Sequence, residues 1–229
     1  MSALPHRAPF RVFVTATDTG VGKTEVASAL LSLLADRGLR PVPFKPYESG
    51  CARLDAPADA LALRAAARSD EALERICIHR FRAPLAPGVA ARRLGRRTDL
   101  RPVLSAYRSF AGRALVAEGA GGLLVPLDPR HDVVDLIGML HLPVLLVARA
   151  GLGTLNHTGL SLALLRARRI TVRAVVLSRS TPQADPSLAD NARLLRERHG
   201  VEVLGPVPFL RSAAARHRAF RRALRPLLG

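Results

Sequence analysis

The sequence contains few of the residues that identify several classes of protein. It has two cysteines, Cys51 and Cys77, no tryptophan and only 4% aromatic residues. Two cysteines without metal-ligand spacing predict neither a disulfide framework nor a metal centre, and a reduced cytoplasm is the simpler interpretation. Few aromatic side chains leave few surfaces on which nucleic-acid bases can stack. No apolar run is long enough for a membrane span, and the N-terminus lacks the features of a signal peptide, so we predict neither.

Lysine is the rarest charged residue in the chain. Among 35 basic residues, only Lys23 and Lys45 are lysines, and the rest are arginines. A lysine ammonium is a compact charge on a slim stem, which a planar guanidinium does not replace, so we interpret both lysines as functional. The arginines are scattered without a block of five or six like charges. The net charge of +17 therefore does not by itself indicate a nucleic-acid-binding protein.

Apolar segments suited to buried strands alternate with segments of helical spacing. This alternation predicts an α/β fold in which a mostly parallel sheet carries helices on both faces. We expect a single domain over residues 1–229. The predicted strands are 10–16, 40–46, 76–81, 113–122, 142–150, 173–180 and 201–208. The predicted helices are 23–38, 56–69, 85–95, 98–112, 154–169 and 185–200.

Two local predictions concern helix ends and the C-terminal tail. Thr98 is a candidate N-cap for the helix that follows it. The arginine-rich tail, residues 211–229, is predicted to be a helix packed on the body of the protein instead of a nucleic-acid-binding arm. Its apolar face is predicted to contain Ala213, Ala214, Phe220, Ala223, Leu224 and Leu227.

A glycine-rich turn, TATDTGVGKT (15–24), joins the first predicted strand to the first predicted helix. In a phosphate-binding loop, backbone N–H groups converge on phosphate oxygens, a lysine reaches the outer phosphates and a hydroxyl binds Mg²⁺. Lys23 and Thr24 fit these last two roles. The usual opening glycine is missing, because Thr17 stands six residues before the lysine and Ala16 precedes it. We expect a working loop with a variant opening.

Further motifs extend this pattern along the chain. FKPYESG, DALAL, AEGAGGLLVPL, LPVLLVARAGLGTLNHT and GPVPFL follow the glycine-rich turn in that order. Together the motifs resemble the ATP-dependent dethiobiotin synthetase family over about residues 10–210. The resemblance implies a P-loop fold, a homodimer, and ATP and Mg²⁺ as cofactors. It also implies that diaminopelargonic acid and CO₂ are the substrates, and that a urea ring is closed to give dethiobiotin.

The resemblance assigns roles to individual residues. Lys45 and Lys23 are implied to be catalytic, Lys45 by stabilising charge between a carbamate and the γ-phosphate. The implied metal ligands are Thr24, Asp59 and Glu118, and the implied substrate contacts are Ser49, Gly122 and Asn156. The implied nucleotide-binding residues are Thr19, Gly20, Val21, Gly22, Lys23, Thr24, Glu25, Glu118, Gly119, Ala120, Gly121, Ser178, Arg179, Pro208, Phe209 and Leu210. Independently, Glu118 ends the apolar part of the segment predicted as a strand at 113–122, just before a glycine turn, where sites in open α/β sheets lie.

Three other classes of protein share some of these features. A partitioning-type ATPase carries a second lysine five residues before the loop lysine, where this chain has Asp18. A cobyrinic-type synthase continues into a glutaminase domain, which we do not expect in this chain. A basic nucleic-acid binder is suggested by the charge alone. We therefore expect a cytoplasmic enzyme that binds neither nucleic acid nor a membrane.

Overall fold

A computed structural model of the protein describes residues 8–229, in which strands and helices alternate. The strands are β1 (Arg11–Ala16), β2 (Val42–Phe44), β3 (Tyr47–Ser49), β4 (His79–Phe81), β5 (Leu115–Gly122), β6 (Val144–Arg149), β7 (Val172–Ser178) and β8 (Val203–Val207). The helices are α1 (Lys23–Asp36), α2 (Ala58–Ala67), α3 (Leu73–Ile76), α4 (Pro87–Arg93), α5 (Leu100–Ser109), α6 (Val133–Leu140), α7 (Thr154–Ala167), α8 (Leu188–His199) and α9 (Ala213–Leu224).

The main sheet has six strands in the order β2-β5-β1-β6-β7-β8. Every pairing within it is parallel. A parallel sheet aligns the carboxyl ends of its strands along one edge, where the following loops meet. The predicted mostly parallel α/β architecture is confirmed.

Successive residues of the central strands pack into two separate apolar cores. Phe13 of β1 belongs to a core formed with helices α5 to α8, whereas Val12 and Val14 belong to a core formed with α1, α2 and α9. This alternation follows from the strand geometry, since adjacent side chains point to opposite faces. Helices therefore cover both faces of the sheet, as predicted.

The strand predicted at 40–46 is shorter than expected and lies at a sheet edge. β2 covers Val42–Phe44 and pairs only with β5 within the six-stranded sheet of the described residues. Pro43 lies inside it, opposite Val116. An edge position tolerates proline because one side of the strand needs no N–H donor. Lys45 immediately follows this strand and is thereby placed at its carboxyl end.

The prediction of a strand at 76–81 is partly wrong. Ile76 ends α3, and the strand β4 begins only at His79. β4 pairs with the unpredicted β3 in a separate two-stranded sheet. The chain leaves the main sheet at Pro46, whose carbonyl accepts hydrogen bonds from the N–H groups of Ile78 and His79. This excursion brings β3 beside the carboxyl edge of the main sheet.

The N-cap predicted for the fifth helix is wrong by one residue. Asp99 caps α5 by accepting a hydrogen bond from the N–H of Arg101 at 2.9 Å. The hydroxyl of Thr98 instead donates to the carbonyl of Leu127. Aspartate reaches the N–H groups of the first turn, as capping residues do. The Thr98 hydroxyl therefore connects the start of α5 to the loop that precedes α6.

Helix α6 was not predicted. Its sequence, VVDLIGML, is almost entirely apolar, and five of its eight residues are buried. A short run of mainly apolar residues shows neither the helical repeat of about 3.6 residues nor the strand repeat of two, so its sequence does not distinguish a buried helix from a buried strand. The available signal was the capping box of Asp132 and Asp135, which is present in the structure and marks a helix start.

The C-terminal tail packs on the body of the protein. Phe220 and Leu224 of α9 are buried against α1. Arg221 donates to Ser32 and forms an ion pair with Asp36 at 2.6 Å. Ala213 and Ala214 are exposed, so their predicted place on the apolar face is wrong. The helix starts at Ala213, and only its later turns reach the core.

Two exclusions made from the sequence can be compared with the structure. No helix within residues 8–229 is long and apolar enough to cross a membrane. The absence of a signal peptide was predicted partly from residues 1–7, which lie outside the described residues. Cys51 and Cys77 are both free and buried, and burial raises the pKa of the Cys77 thiol to about 12.

Candidate active site

The glycine-rich turn joins β1 to α1, as the phosphate-loop prediction required. Gly20 and Gly22 have φ angles of +73° and +104°, a region that only glycine adopts readily. α1 begins at Lys23, so its N-terminal N–H groups and partial positive charge lie at the loop. Ala16 is absent from the positive-φ residues of the described chain. A methyl group is tolerated there because the backbone does not need a positive φ at this position.

A second cluster of charges lies next to the loop. Lys45, which follows β2, contacts Asp59 in the first turn of α2 at 2.8 Å. Its ammonium also contacts the carboxylate of Glu118 on β5 at 2.5 Å. The side chains of Lys45 and Glu118 are 5% and 0% exposed. An ammonium buried this deeply needs counter-charges, and the two acids supply them.

Thr24 connects the two groups of residues. Its hydroxyl donates to Oε1 of Glu118 at 3.0 Å. Oε2 of Glu118 is buried and has no hydrogen-bond partner in the described part of the chain. A buried carboxylate oxygen without a partner is costly unless a ligand satisfies it. One hydroxyl and two carboxylates form an all-oxygen set, which suits Mg²⁺ completed by phosphate oxygens and water.

The electrostatics of the buried pair favour a charged Lys45. Burial alone would lower the pKa of Lys45, but Glu118 and Asp59 outweigh it and the pKa is raised above its usual value. For Glu118, burial raises the pKa, and Asp59 adds to this effect while Lys45 opposes it. Lys45 is therefore a permanent cation at neutral pH. A second nearby cation would lower the pKa of Glu118 and favour its charged form.

The loop and the charged cluster line one cavity of about 480 Å³. A cavity of this size fits a small-molecule site at the carboxyl edge of a parallel sheet. Twelve of the residues singled out from the sequence lie in its wall. They are Thr19, Gly20, Gly22, Lys23, Thr24, Glu25, Lys45, Ser49, Asp59, Glu118, Ala120 and Gly121.

Known proteins resemble this chain over most of its length. Residues 11–216 match the family described as "AAA domain". The chain is 48% identical over 210 residues to the ATP-dependent dethiobiotin synthetase of Anaeromyxobacter dehalogenans strain 2CP-C, covering 91% of this chain and 94% of that protein. It is 38% identical over 199 residues to the synthetase of Bacillus thuringiensis strain Al Hakam, covering 86% and 82%.

The chain belongs to the ATP-dependent dethiobiotin synthetase family. The resemblance identified from the sequence motifs is confirmed, and the partitioning-type and cobyrinic-type alternatives are not favoured. Solved structures extend the likeness in fold alone. The MinC:MinD cell division complex of Aquifex aeolicus has a TM-score of 0.57 and 14% identity, with 96% of both chains covered. The receptor FtsY of Elizabethkingia anophelis has a TM-score of 0.52 and 16% identity, with 95% and 68% covered.

Some of the residues expected to bind the nucleotide, among them Ser178, Pro208 and Leu210, lie outside the wall of this cavity. A Cβ placed on Gly22 would be 3.3 Å from Oγ of Ser178 and 3.5 Å from the ring of Phe220, so both side chains approach the loop. Pro208 and Leu210 line a separate cavity against α9. In the described residues, the wall of the 480 Å³ cavity also omits four further members of the predicted set: Val21, Gly119, Arg179 and Phe209.

The predicted substrate residues do not all meet within one chain. Ser49 lines the cavity, whereas Gly122 and Asn156 are missing from its wall as formed by residues 8–229. Gly122 lies beside Ala16, at the start of the phosphate loop. Asn156 is exposed in the first turn of α7. Within the described residues, Asn156 is therefore not brought to the wall of this cavity.

Several wall residues were not identified as functional from the sequence. Tyr47, Glu48, Leu85, Pro87 and Val125 also line the cavity. Leu85 and Pro87 belong to a segment that the two-stranded sheet places over the site, which only the tertiary structure reveals. Glu48 is a buried acid within the family-like motif FKPYESG. Its position between Lys45 and Ser49 was the available signal.

We expect nucleotide binding to depend on pH through Lys23. Burial lowers the pKa of Lys23; Glu118 opposes the shift and Lys45 adds to it. The ammonium therefore loses its proton at a lower pH than an ordinary lysine does. Anionic phosphates bound beside it would raise the pKa of Lys23 again and favour its protonated form. ATP affinity should fall as pH rises through the lowered pKa, and binding in that range should take up a proton. Calorimetry in buffers of different ionisation enthalpy measures this uptake.

The matched variant for this prediction is Lys23→Arg. A guanidinium stays charged throughout the accessible pH range, so any binding that remains should show no proton uptake linked to this position. Equal proton uptake by the wild type and the variant would contradict the assignment of the titration to Lys23.

Proposed function

We propose that this chain is a dethiobiotin synthase, which uses ATP and Mg²⁺ to close a urea ring on diaminopelargonic acid with CO₂. The products are dethiobiotin, ADP and phosphate. Family membership supports the reaction type. The observation that carries the proposal is that one cavity is lined by both lysines of the chain and by the three proposed metal ligands, Thr24, Asp59 and Glu118.

The first step joins the diamine to CO₂. One amine nitrogen attacks the carbon of CO₂, forms a C–N bond and loses a proton, giving a carbamate anion. Oγ of Ser49 is buried and has no hydrogen-bond partner among residues 8–229, so it is available to donate to a carbamate oxygen. The Lys45 ammonium in the same cavity neutralises the new anion.

The second step transfers a phosphoryl group. A carbamate oxygen attacks the γ-phosphorus of ATP, and ADP leaves. Two anions must approach each other, so positioning and charge neutralisation account for most of the catalysis. Lys23 holds the outer phosphates, and Lys45 is placed to bridge carbamate and phosphate. Thr24, Asp59 and Glu118 would hold Mg²⁺, which neutralises phosphate charge when bound.

The third step closes the ring. The second amine attacks the carbonyl carbon of the phosphorylated carbamate and forms the other C–N bond of the urea, while its proton passes to solvent and the C–O bond to phosphate breaks. Lys45 stabilises the negative charge that develops on the leaving phosphate. Ala120 and Gly121 of the AEGAGG segment line the cavity, and backbone N–H groups of this segment would orient the diamine.

We further propose that the enzyme is a cytoplasmic homodimer that binds neither nucleic acid nor a membrane. Asn156 is exposed, and Leu152 and Leu160 beside it are 80% and 64% exposed. These two exposed apolar side chains would be covered if this region formed a subunit interface. In a dimer formed there, Asn156 would bind the substrate carboxylate in the neighbouring subunit's site. The buried, free cysteines suit a reducing compartment.

The proposed function predicts phosphate release that depends on the diamine. Purified protein with ATP, Mg²⁺ and bicarbonate should release phosphate only when diaminopelargonic acid is added, because the carbamate is the phosphoryl acceptor. A coupled phosphate assay measures this directly. Omitting bicarbonate, in CO₂-free buffer, is the matched control and should also abolish release. Phosphate release without the diamine would instead favour a different ATPase activity.

A further inference from the structure

Glu48 is a buried acid that makes no ion pair with Lys45 but binds the backbone of a helix. It lies on β3 between Tyr47 and Ser49, and is 4% exposed. Its Oε1 accepts a hydrogen bond from the N–H of Asp59 at 3.1 Å, and its Oε2 accepts one from the N–H of Ala60 at 2.9 Å. Both oxygens are therefore used at the start of α2.

Helix α2 depends on this distant acid because it lacks a local cap. Pro57 occupies the N-cap position, and its side chain makes no capping hydrogen bond. The first N–H groups of a helix have no partner within the helix, and an acceptor or a negative charge there is stabilising. Glu48 supplies both from a strand eleven residues away from Asp59.

The segment 45–49 thus holds Asp59 at two points. The Lys45 ammonium contacts the Asp59 carboxylate at 2.8 Å, and the Glu48 carboxylate accepts from the Asp59 backbone N–H. The side chain of Asp59 is 41% exposed, so its own packing does not fix its position. Residues that hydrogen-bond to a metal-binding residue orient it and thereby tune the affinity for the metal.

We infer that Glu48 is a positioning residue, which fixes the first turn of α2 so that the Asp59 carboxylate reaches the metal. This inference rests on the proposed function, in which Asp59 binds Mg²⁺. Glu48 touches neither nucleotide nor substrate in this role. Its effect passes through the backbone of Asp59 and should appear as weaker Mg²⁺-dependent nucleotide binding.

The test measures binding of a non-hydrolysable ATP analogue by calorimetry, with Mg²⁺ and without it. Glu48→Gln keeps the size of the side chain but turns an NH₂ group toward one of the two backbone N–H donors. The Mg²⁺-dependent gain in affinity should fall about 10- to 100-fold, while metal-free affinity stays at the wild-type value. Glu48→Ala should lose at least as much, provided that its melting curve shows a folded protein.

A double-mutant cycle separates positioning from general stability. Asp59→Asn should lose the Mg²⁺-dependent gain by itself, and adding Glu48→Gln to it should cause little further loss, because both changes act through one ligand. Asp99→Ala is the control, since it removes an N-cap on α5. It should lower the melting temperature without changing the Mg²⁺-dependent gain.

Two failures are distinguishable. If the wild-type protein shows no Mg²⁺-dependent gain and no diamine-dependent phosphate release, the proposed function fails. If the wild-type protein shows both, and Glu48→Gln retains the full gain or adds its loss independently to that of Asp59→Asn, then the positioning role of Glu48 is overturned.

Discussion

Replacing Lys45 by arginine is expected to lower kcat by between about a hundredfold and a thousandfold, while the nucleotide still binds. The charge is kept, but the site requires a compact ammonium. Lys45 is 5% exposed and already contacts Asp59 and Glu118. A larger planar guanidinium cannot keep both contacts in that space and also lie between carbamate and phosphate. Steady-state kinetics and calorimetric ATP titration measure the two parts separately.

The control for this variant replaces an arginine by a lysine at a surface site. The side chain of Arg101 is 90% exposed, and Arg101→Lys should leave kcat and nucleotide affinity unchanged. Nearly normal turnover by Lys45→Arg would contradict the interpretation of the second lysine. Loss of nucleotide binding together with turnover would assign Lys45 to nucleotide binding instead of carbamate and phosphate stabilisation.

Replacing Glu118 by glutamine is expected to lower kcat/KM by at least about a hundredfold at a fixed Mg²⁺ concentration. The amide removes a full negative charge from the proposed metal site. It also puts a neutral amide group where the partnerless oxygen of Glu118 now lies. Thr24, which donates to the other oxygen, retains an acceptor. Activity should recover partly as Mg²⁺ is raised, which a Mg²⁺ titration of kcat/KM measures.

Glu74→Gln is the matched control for Glu118→Gln. Its side chain is 77% exposed and its ion pair with Arg80 spans 3.5 Å, so its loss should change neither kinetics nor Mg²⁺ dependence. Melting curves of both variants establish that they are folded. A Glu118→Gln enzyme with an unchanged Mg²⁺ dependence would remove Glu118 from the metal site.

The central strands and the phosphate loop could be predicted because their signals are local. β1, β5 and β6 each contain a run of buried, mainly apolar residues, which is typical of parallel strands buried on both faces. The loop is determined by neighbouring residues, since Gly20 and Gly22 supply positive φ angles and Lys23 starts α1. Local patterns of this kind do not depend on the rest of the fold.

The missed features depend on contacts distant in sequence. β3 and β4 have three residues each, too few to establish a period. The cap of α5 was placed on Thr98 because Thr98 and Asp99 are both good capping residues, and only the structure shows that Thr98 binds Leu127. Glu48 could not be placed at the start of α2 until β3 was known to pass it.

The most direct measurement is the fate of labelled bicarbonate. Wild-type protein is incubated with ATP, Mg²⁺, diaminopelargonic acid and carbon-labelled bicarbonate, and the products are identified by mass spectrometry. We predict one labelled carbon in a cyclic urea, dethiobiotin, with one phosphate released for each ring closed, and both products formed about a hundredfold to a thousandfold more slowly by the Lys45→Arg protein. ATP hydrolysis without label in the diamine would contradict the assignment of this cavity to carbamate phosphorylation and ring closure.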